Sequence, residues 1–441
     1  MSKFDKFFEE AKSNGIKESE LFIRENKELS FSLFHGEIVS FSNNSQLKIS
    51  ARGLVGSKFG AASSDVWSNE KCHFLVQQIK ENGSVIEDED PAIIFAGAEK
   101  YKKIKTYSKE LSQMSVEKKI EIARKIEEKI RSLDSRIVEV EEVGFEETEE
   151  SVTIQNSLGL KLNQKSNYCV FYAGAVASEN GQVKSGFDLY FDSSLENFDI
   201  DDFAKKVVEK AVSQLGGEPC ETGKYKVVLE QSVVASLLSA YLSNANASSV
   251  QKKSSQFIGK LGEAVASSKL TVEELPHAKT VFARTFDDEG VPTYNKKIIE
   301  KGKLKTYIYS LTSAKKDNVE STGNGFRRGP SVSEGFTLLS VNPGKLTTEE
   351  IFQKVGNGVY ITSIAGLHAG LNPMSGNFSL QSSGFLIKDG KKDRALDIIT
   401  ISGNLAELFM NIEEVGKDVK LLPYSIKCPP LLIKSLSVSG K

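Results

Sequence analysis

Strand-like alternation of apolar and polar residues fills two long stretches of this 441-residue chain, about residues 19–62 and 137–191. Within the first stretch, short alternating runs are separated by turn residues at Asn26, Gly36, Asn43-Asn44 and Gly53. Because strand follows strand with no helical pattern between, the sequence predicts antiparallel meanders rather than a parallel sheet. Helical periodicity flanks each meander, so the order helix, meander, helix occurs twice and indicates an α+β fold.

Four amphipathic helices are predicted beside these meanders, at about residues 4–14, 65–80, 116–133 and 203–215. An irregular stretch at about 87–107, which begins with the acidic run Glu87–Asp90, separates the two units. A second boundary lies at Gly216-Gly217 and Pro219. We therefore predict an N-terminal α+β domain at 1–90, a middle α+β domain at 108–217 and a larger C-terminal domain at 222–441.

The C-terminal domain is predicted to be mostly antiparallel sheet with a few helices. Its clearest local signals are a helix at Ser232–Asn244, hairpins at 297–309 and 385–396, a capping box from Thr347 to Glu350, and a helix at Asn404–Val415. The Asp389-Gly390 pair is a strong hairpin turn signal, and the capping box marks a helix start.

Composition excludes several classes of function. Lys and Arg number 57 against 59 Asp and Glu, a net charge of −2, so the basic excess of a nucleic-acid-binding protein is missing. No apolar run approaches the roughly 20 residues of a membrane helix, and the N-terminus does not resemble a signal peptide. The four cysteines form no C-x-x-C pair, which favours reduced, buried thiols. We expect a soluble cytoplasmic protein that binds neither nucleic acid nor membrane.

Metal and nucleophile motifs are weak. No two of the four histidines have metal-ligand spacing, and the acidic triplet Asp287–Glu289 suits a turn or strand edge better than a cation site. Two S-x-x-K matches begin at Ser249 and Ser313. Because the companion elements of serine–lysine enzymes are missing, chance explains these matches better than a nucleophile.

Two glycine-rich loops are better candidates for a binding site. The first spans Ser321–Pro330 and carries paired arginines, which hold carboxylates or phosphates well. For this loop, a binding role and an ordinary surface loop are equally favoured. The second spans Gly366–Ser379, a length at which a loop is more often functional than not. The candidate substrate-binding residues in these loops are Asn324, Arg327, Arg328, His368 and Asn372.

An ordered set of short motifs then resembles one family. The motifs are FDDEGVPT (286–293), IIEKGKL (298–304), STGNGFRR (321–328), NPG (342–344), GLHAGLNPMSGNFS (366–379), SGFLIKDG (383–390) and ITISGNL (399–405). Together they make the chain similar to the TldD/PmbA family, also called modulators of DNA gyrase. The resemblance covers most of the last 200 residues, and the two helix–meander units fit the family's first two domains.

The resemblance also indicates which branch of the family this is. TldD-like members carry the zinc motif H-E-x-x-x-H on a helix early in the third domain, and PmbA/TldE-like members lack it. At the corresponding positions this chain has Ser239, Ala240 and Asn244. Cys428 lacks the glycine-rich context of the family's third zinc ligand and is predicted to be structural. The chain therefore resembles the PmbA/TldE-like branch, with no metal and no other cofactor expected.

The resemblance implies a noncatalytic subunit that pairs with a TldD-like zinc peptidase. Together the two would cleave unfolded or modified peptides inside a closed chamber. The alternative is a stand-alone homodimeric peptide-binding protein without protease activity. A third hypothesis is an enzyme that uses Ser249 or Ser313 as its nucleophile.

Overall fold

The computed structural model describes residues 4–87, 90–329 and 331–441. In this part of the chain the helices are α1 Asp5–Ser13, α2 Asn69–Val85, α3 Lys109–Gln113, α4 Val116–Leu133, α5 Ile200–Val212, α6 Gln231–Leu242, α7 Ala247–Gln251, α8 Leu311–Asp317, α9 Thr348–Val355, α10 Leu367–Gly370 and α11 Leu405–Met410. A 3₁₀ turn at Ser243–Ala245 follows α6.

The strands of the same residues are β1 Ser19–Phe34, β2 Glu37–Val55, β3 Lys58–Ser64, β4 Ile137–Asn156, β5 Lys161–Glu179, β6 Gln182–Asp192, β7 Gly223–Leu229, β8 Val272–Glu274, β9 Lys296–Glu300, β10 Lys303–Leu304, β11 Gly325–Arg328, β12 Ser331–Glu334, β13 Leu339–Val341, β14 Gly358–Ala365, β15 Asn377–Lys388, β16 Lys391–Asn404, β17 Ile412–Val415, β18 Lys420–Leu422, β19 Ile426–Cys428 and β20 Leu431–Ser439. The predicted α+β class, rich in antiparallel sheet, is confirmed.

Both predicted meanders belong to one six-stranded sheet in the order β3-β2-β1-β4-β5-β6. The junction is the antiparallel pair of β1 with β4, in which Phe31 lies opposite Phe145. Helices α1 and α2 cover the first half of the sheet, and α4 and α5 cover the second half. The first two predicted domains therefore share a backbone hydrogen-bond network; their division stays a prediction.

Each meander has fewer and longer strands than predicted. The breaks expected at Asn26, Asn43-Asn44 and Gly53 are wrong, because all of these residues lie inside β1 or β2. Asn26 pairs with Gln46 on one side and with Glu150 on the other. Inter-strand hydrogen bonds on both sides of β1 override the local turn preference of such residues. The turn at Gly36 is confirmed.

Two six-stranded sheets, the two-stranded sheet β11-β12 and a central helix make up most of the C-terminal domain in the described residues. The first sheet has the order β16-β15-β14-β7-β20-β17 and is closed by an extra pairing of β16 with β20, and the second has the order β10-β9-β8-β13-β19-β18. Helix α6 lies between them and contacts β14 of the first sheet and β19 of the second. Its buried side chains, including Val234, Leu237 and Leu238, belong to the largest core cluster.

Local signals in this domain have mixed outcomes. The capping box from Thr347 to Glu350 and the hairpin turn at Asp389-Gly390 are confirmed. The helix predicted at Asn404–Val415 is wrong in its second half, since α11 ends at Met410 and Ile412–Val415 forms β17. Pairing of Ile412 with Ile433 of β20 favours the strand.

The predicted linker after α2 has no regular secondary structure where it is described, over residues 90–107. Asp88 and Glu89 of the predicted acidic run lie outside the described residues. Tyr101 ties the linker to the C-terminal domain, since its hydroxyl donates to the carbonyl oxygen of Gly290 at 2.9 Å. In the described parts of the chain, no helix combines the length and apolar character needed to cross a membrane.

Candidate functional site

The helix predicted at Ser232–Asn244 is α6. Of the three positions that correspond to the zinc motif, Ser239 and Ala240 lie in the last turn of α6, and Asn244 lies in the 3₁₀ turn that follows it. Ser239 is exposed, Ala240 packs partly buried against the core, and Asn244 is 6% exposed. The Asn244 side chain donates to the carbonyl of Tyr241 at 3.0 Å and accepts from the backbone N–H of Gln256 at 2.8 Å. Asn244 is therefore a satisfied structural residue that anchors the loop after α7.

These positions do not fit a zinc ion. A structural or catalytic zinc site needs at least three nitrogen, sulfur or carboxylate donors converging within about 2.3 Å of the metal. Ser239 and Ala240 supply no such donor, and the amide of Asn244 is occupied by backbone groups. Over the described residues, no group of three His, Cys, Asp or Glu side chains is arranged to hold a metal.

Cys428 is too far from these positions to complete such a site. Its thiol donates to the carbonyl of Gln231 at 3.2 Å, at the opposite end of α6. Eight residues of helix separate Gln231 from Ser239, which is about 12 Å at 1.5 Å per residue. Burial raises the pKa of the Cys428 thiol to about 12, so the thiolate form that binds metals is disfavoured.

The second glycine-rich loop lies beside the end of α6. Gln256 joins the two, since its backbone N–H donates to the Asn244 side-chain oxygen at 2.8 Å and its side-chain amide donates to the carbonyl of Met374 at 3.1 Å. Gly376 is required here, because its φ is +75° and an added Cβ would lie 2.6 Å from the Gln256 amide nitrogen. The structure thus brings the degenerate motif and the predicted loop together.

The loop presents a mixed apolar and polar surface. His368 and Asn372 are both exposed, as expected for binding residues. The Asn372 carboxamide oxygen accepts from the backbone N–H groups of Met374 and Ser375, both at 3.0 Å, so Asn372 shapes the loop. Met374 is 67% exposed and Ile258, close to Gln256 in the chain, is 47% exposed. Exposed apolar side chains rimmed by polar groups are typical of protein contact surfaces.

The first glycine-rich loop is different, because two of its three candidate residues point inward. Asn324 is fully buried, and its amide donates to Glu274 at 2.9 Å and to the carbonyl of Gly335 at 2.8 Å. Arg327 is 7% exposed, so the free anion contact expected of it is not available. Arg328 is exposed and remains a candidate. Pro330, at the end of this predicted loop, lies outside the described residues.

Arg327 belongs to a buried ion cluster that joins the first sheet to the C-terminal domain. Four guanidinium groups lie among four carboxylates, namely Arg24, Arg52, Arg284 and Arg327 with Glu20, Asp287, Asp288 and Glu289. The centre is one oxygen of Glu20, which accepts from the Arg52 Nε at 2.9 Å and from the Arg327 guanidinium. Sequence reasoning missed Glu20 and Arg52, which look like ordinary residues of alternating strands.

The acidic triplet Asp287–Glu289 supplies the carboxylates of this cluster that belong to the C-terminal domain. It also forms the predicted turn. Asp287 accepts from the backbone N–H groups of Glu289, Val291 and Gly325 at 2.8–3.0 Å. Burial and the neighbouring Glu289 raise the pKa of Asp287. Burial would also raise the pKa of Asp288, but Arg284, the backbone N–H of Arg327 and Arg24 together outweigh it and hold that pKa below its usual range. The carboxylates are committed to arginines and backbone donors, which is a structural use.

The geometry around Ser249 and Ser313 does not support the hypothesis that either serine is a catalytic nucleophile. Ser313 is 2% exposed, and its hydroxyl accepts from the Ser310 backbone N–H at 3.0 Å in the capping box of α8. Its predicted base, Lys316, pairs with Asp90. Ser249 lies in α7, and among the described residues no hydrogen bond joins its hydroxyl to the Lys252 ammonium. Neither serine is placed as an activated nucleophile.

A C-terminal domain of two sheets around one central helix, preceded by a long shared antiparallel sheet, defines the class of this protein. It belongs to the PmbA/TldD metallopeptidase family. The model of the PmbA/TldA metallopeptidase C-terminal domain matches residues 222–440, and that of the central domain matches residues 109–215.

The chain is similar to individual proteins that carry several of the family's names. It is similar over 99% of both chains to a Thermotoga maritima structure named as a candidate modulator of a DNA gyrase, with 31% identity and a TM-score of 0.91. It is 28% identical over 323 residues, 73% of this chain and 70% of the relative, to a metalloprotease PmbA homolog of Buchnera aphidicola. The TldE structure of Thermococcus kodakarensis, 24% identical and covering both chains fully, shares the fold with a TM-score of 0.90.

Proposed function

We propose that this chain is a noncatalytic, PmbA/TldE-like subunit that pairs with a TldD-like zinc peptidase and helps to hold peptide substrates. The proposal depends on the residues at the end of α6. At these positions the TldD-like members of the family are expected to carry the zinc motif. There, Ser239, Ala240 and the occupied amide of Asn244 cannot supply zinc donors or a general base. Because the chain belongs to a metallopeptidase family but lacks zinc ligands and a general base at these positions, we infer that a partner subunit supplies them.

The contact surface in this proposal is the second glycine-rich loop with its neighbours. His368, Asn372, Met374 and Ile258 are exposed beside the end of α6. Arg328 is the other predicted binding residue that remains accessible. The four cysteines are free and buried, which suits a reducing compartment, so we place the complex in the cytosol.

The test is reconstitution with a TldD-like chain from the same cell. Each protein is purified alone and mixed, and complex formation, zinc content and cleavage of an unfolded peptide are measured. We expect a stable complex, zinc in the TldD-like chain, and cleavage that depends on both. Stoichiometric zinc in this chain alone, or peptidase activity of this chain alone, would overturn the proposal.

A variant of the loop sharpens the experiment. Met374→Asp places a charge on the proposed contact surface, and burial of that charge should weaken the complex at least tenfold. Met410→Asp is the matched control, because Met410 is also an exposed methionine, at 47% against 67% for Met374, and lies outside the loop. A homodimer that persists when the TldD-like chain is added, with no mixed complex, would favour the stand-alone peptide-binding alternative.

A further inference from the structure

A cleft of about 710 Å³ lies between the first sheet and the C-terminal domain. One wall consists of β2, β3 and the end of α2, and the opposite wall consists of α7, α8 and β12. The volume is within the range of sites that enclose small ligands. The cleft does not involve the proposed partner surface.

The ionisable side chains that line the cleft are predominantly cationic. Four cations, Arg52, Lys58, Lys252 and Lys316, stand against two carboxylates, Asp90 and Glu334. A concave site with an excess of one sign of charge concentrates ligands of the opposite sign. The balance therefore favours an anionic ligand.

Both carboxylates are already occupied. Glu334 accepts from the hydroxyl of Ser248 at 2.5 Å and from that of Ser310 at 3.2 Å. Asp90 pairs with Lys316. Arg52 is itself paired with Glu20, so the cations of the cleft that have no carboxylate partner among the described residues are Lys58 and Lys252, against the one charge of Glu334.

Arg52 has a donor without an acceptor. The residue is 4% exposed; its Nε donates to Glu20 at 2.9 Å and its Nη1 lies 3.7 Å from Glu289. Its Nη2 is buried and makes no hydrogen bond to any residue in the described part of the chain. An unsatisfied buried donor costs on the order of 1–3 kcal/mol, so an acceptor brought by a ligand would be favoured.

Three further donors of the cleft are free of side-chain hydrogen bonds to the described residues: the Lys252 ammonium and the hydroxyls of Ser331 and Ser333. Lys252 is exposed at the mouth. Ammonium, guanidinium and hydroxyl donors together suit the several acceptor oxygens of one oxyanion, through charge-assisted hydrogen bonds.

We propose that this cleft binds a small oxyanion, supplied either by free phosphate or by the C-terminal carboxylate of a peptide. Lys252 and Arg52 are its charged contacts, and the serine hydroxyls complete the donor set. The site lies within this chain and requires no partner subunit, so its test is independent of the complex proposed above.

Isothermal titration calorimetry of the full chain at low ionic strength tests the proposal. The probes are inorganic phosphate, acetyl-trialanine with a free carboxylate, and the same peptide as its amide. We expect one-to-one binding of at least one of the two oxyanions, and no binding of the amide. Lys252→Gln should weaken that binding about 3- to 10-fold, the usual effect of losing one charged hydrogen bond.

Lys253→Gln is the matched control, because Lys253 is an exposed neighbour that does not line the cleft. It removes the same charge and should leave the affinity unchanged within twofold. Binding of phosphate alone or of the peptide acid alone, with the Lys252 effect, supports the site and identifies the source. Absence of binding by both oxyanions, equal binding of acid and amide, or equal effects of the two lysine variants would overturn it.

Discussion

Glu20→Gln removes a negative charge from the centre of the buried ion cluster while keeping the size of the side chain and one acceptor oxygen. Glu20 is fully buried, and one of its oxygens serves both Arg52 and Arg327. After the substitution these two guanidinium groups remain buried beside each other without the carboxylate between them. We expect the junction between the first sheet and the C-terminal domain to weaken.

The loss in the free energy of unfolding is set by two opposing contributions, the lost attraction between charges and the removed cost of burying the carboxylate. Unit charges 4 Å apart attract by about 4 kcal/mol at an effective dielectric constant of 20, and Glu20 faces two such partners. Removing the carboxylate also removes its desolvation cost, which is several kcal/mol. Loss of one partner from a buried pair typically costs about 3–5 kcal/mol. Because the amide oxygen can still accept from the Arg52 Nε, we expect the lower end, about 3 kcal/mol.

Urea unfolding followed by tryptophan fluorescence measures this cost. Trp67 is the single tryptophan, and its ring packs edge-on against Phe4 in the N-terminal unit with centroids 4.8 Å apart. Its emission therefore reports on the half of the sheet that carries Glu20. With a slope of about 1–3 kcal/mol per molar urea, the midpoint should fall by about 1–3 M.

Glu28→Gln is the matched control, since Glu28 is an exposed residue of the same strand. It removes the same charge from β1 and should change the free energy of unfolding by less than about 0.5 kcal/mol. If the urea unfolding midpoints of the Glu20→Gln and Glu28→Gln variants agree within error, the ion pairs of Glu20 do not stabilise the fold, and the reasoning is refuted.

Four further expectations follow from buried or strained groups. Asn244→Ala should lower the free energy of unfolding by about 1–3 kcal/mol in urea titrations, whereas Ser239→Ala at the exposed position should be nearly neutral; equal effects would contradict the assigned geometry. Because burial raises the pKa of Cys169 and Cys428 to about 12, the folded chain keeps protons that the unfolded chain loses above about pH 9, so stability should fall from pH 9 towards 12. The same native chain should react slowly with Ellman's reagent at pH 8, and rapid labelling of these thiols would show that they are accessible. Gly376→Ala should cost about 1–2 kcal/mol and lower the melting temperature, because the alanine must adopt a positive φ against a close side chain; an unchanged melting temperature would exclude that strain.

Strong local patterns in this sequence predict elements well. The helix at Val116–Leu133 occurs with its predicted ends, because its apolar stripe and the Ser115 cap act within one segment. The breaks predicted inside β1 and β2 fail for the opposite reason. Asn26 and Gly53 have turn preferences worth a few tenths of a kcal/mol. Pairing with a strand on each side outweighs these preferences, with β2 and the distant β4 for Asn26 and with β1 and β3 for Gly53.

The candidate site shows the same limit. His368 and Asn372 were predicted from the composition of their loop, and that loop is exposed beside the end of α6. Arg327 was predicted on the same grounds, yet it is buried against Glu20, which lies 307 residues away in sequence. A paired-arginine motif predicts the ability to bind an anion, but the anion here is a carboxylate of the same chain. Only tertiary structure brings the two together.

The pairing of β1 with β4 has a consequence for how this protein is made. Phe31 and Phe145 are opposite each other in the sheet, but about 110 residues of chain separate them. At synthesis rates of roughly 5–20 residues per second, the ribosome needs about 6–20 s to produce the intervening segment. During that interval one edge of β1 has no partner strand, and its apolar face is open to wrong pairing. The nascent chain should therefore depend on early chaperone binding, and slow codons between residues 90 and 140 would lengthen the exposed period.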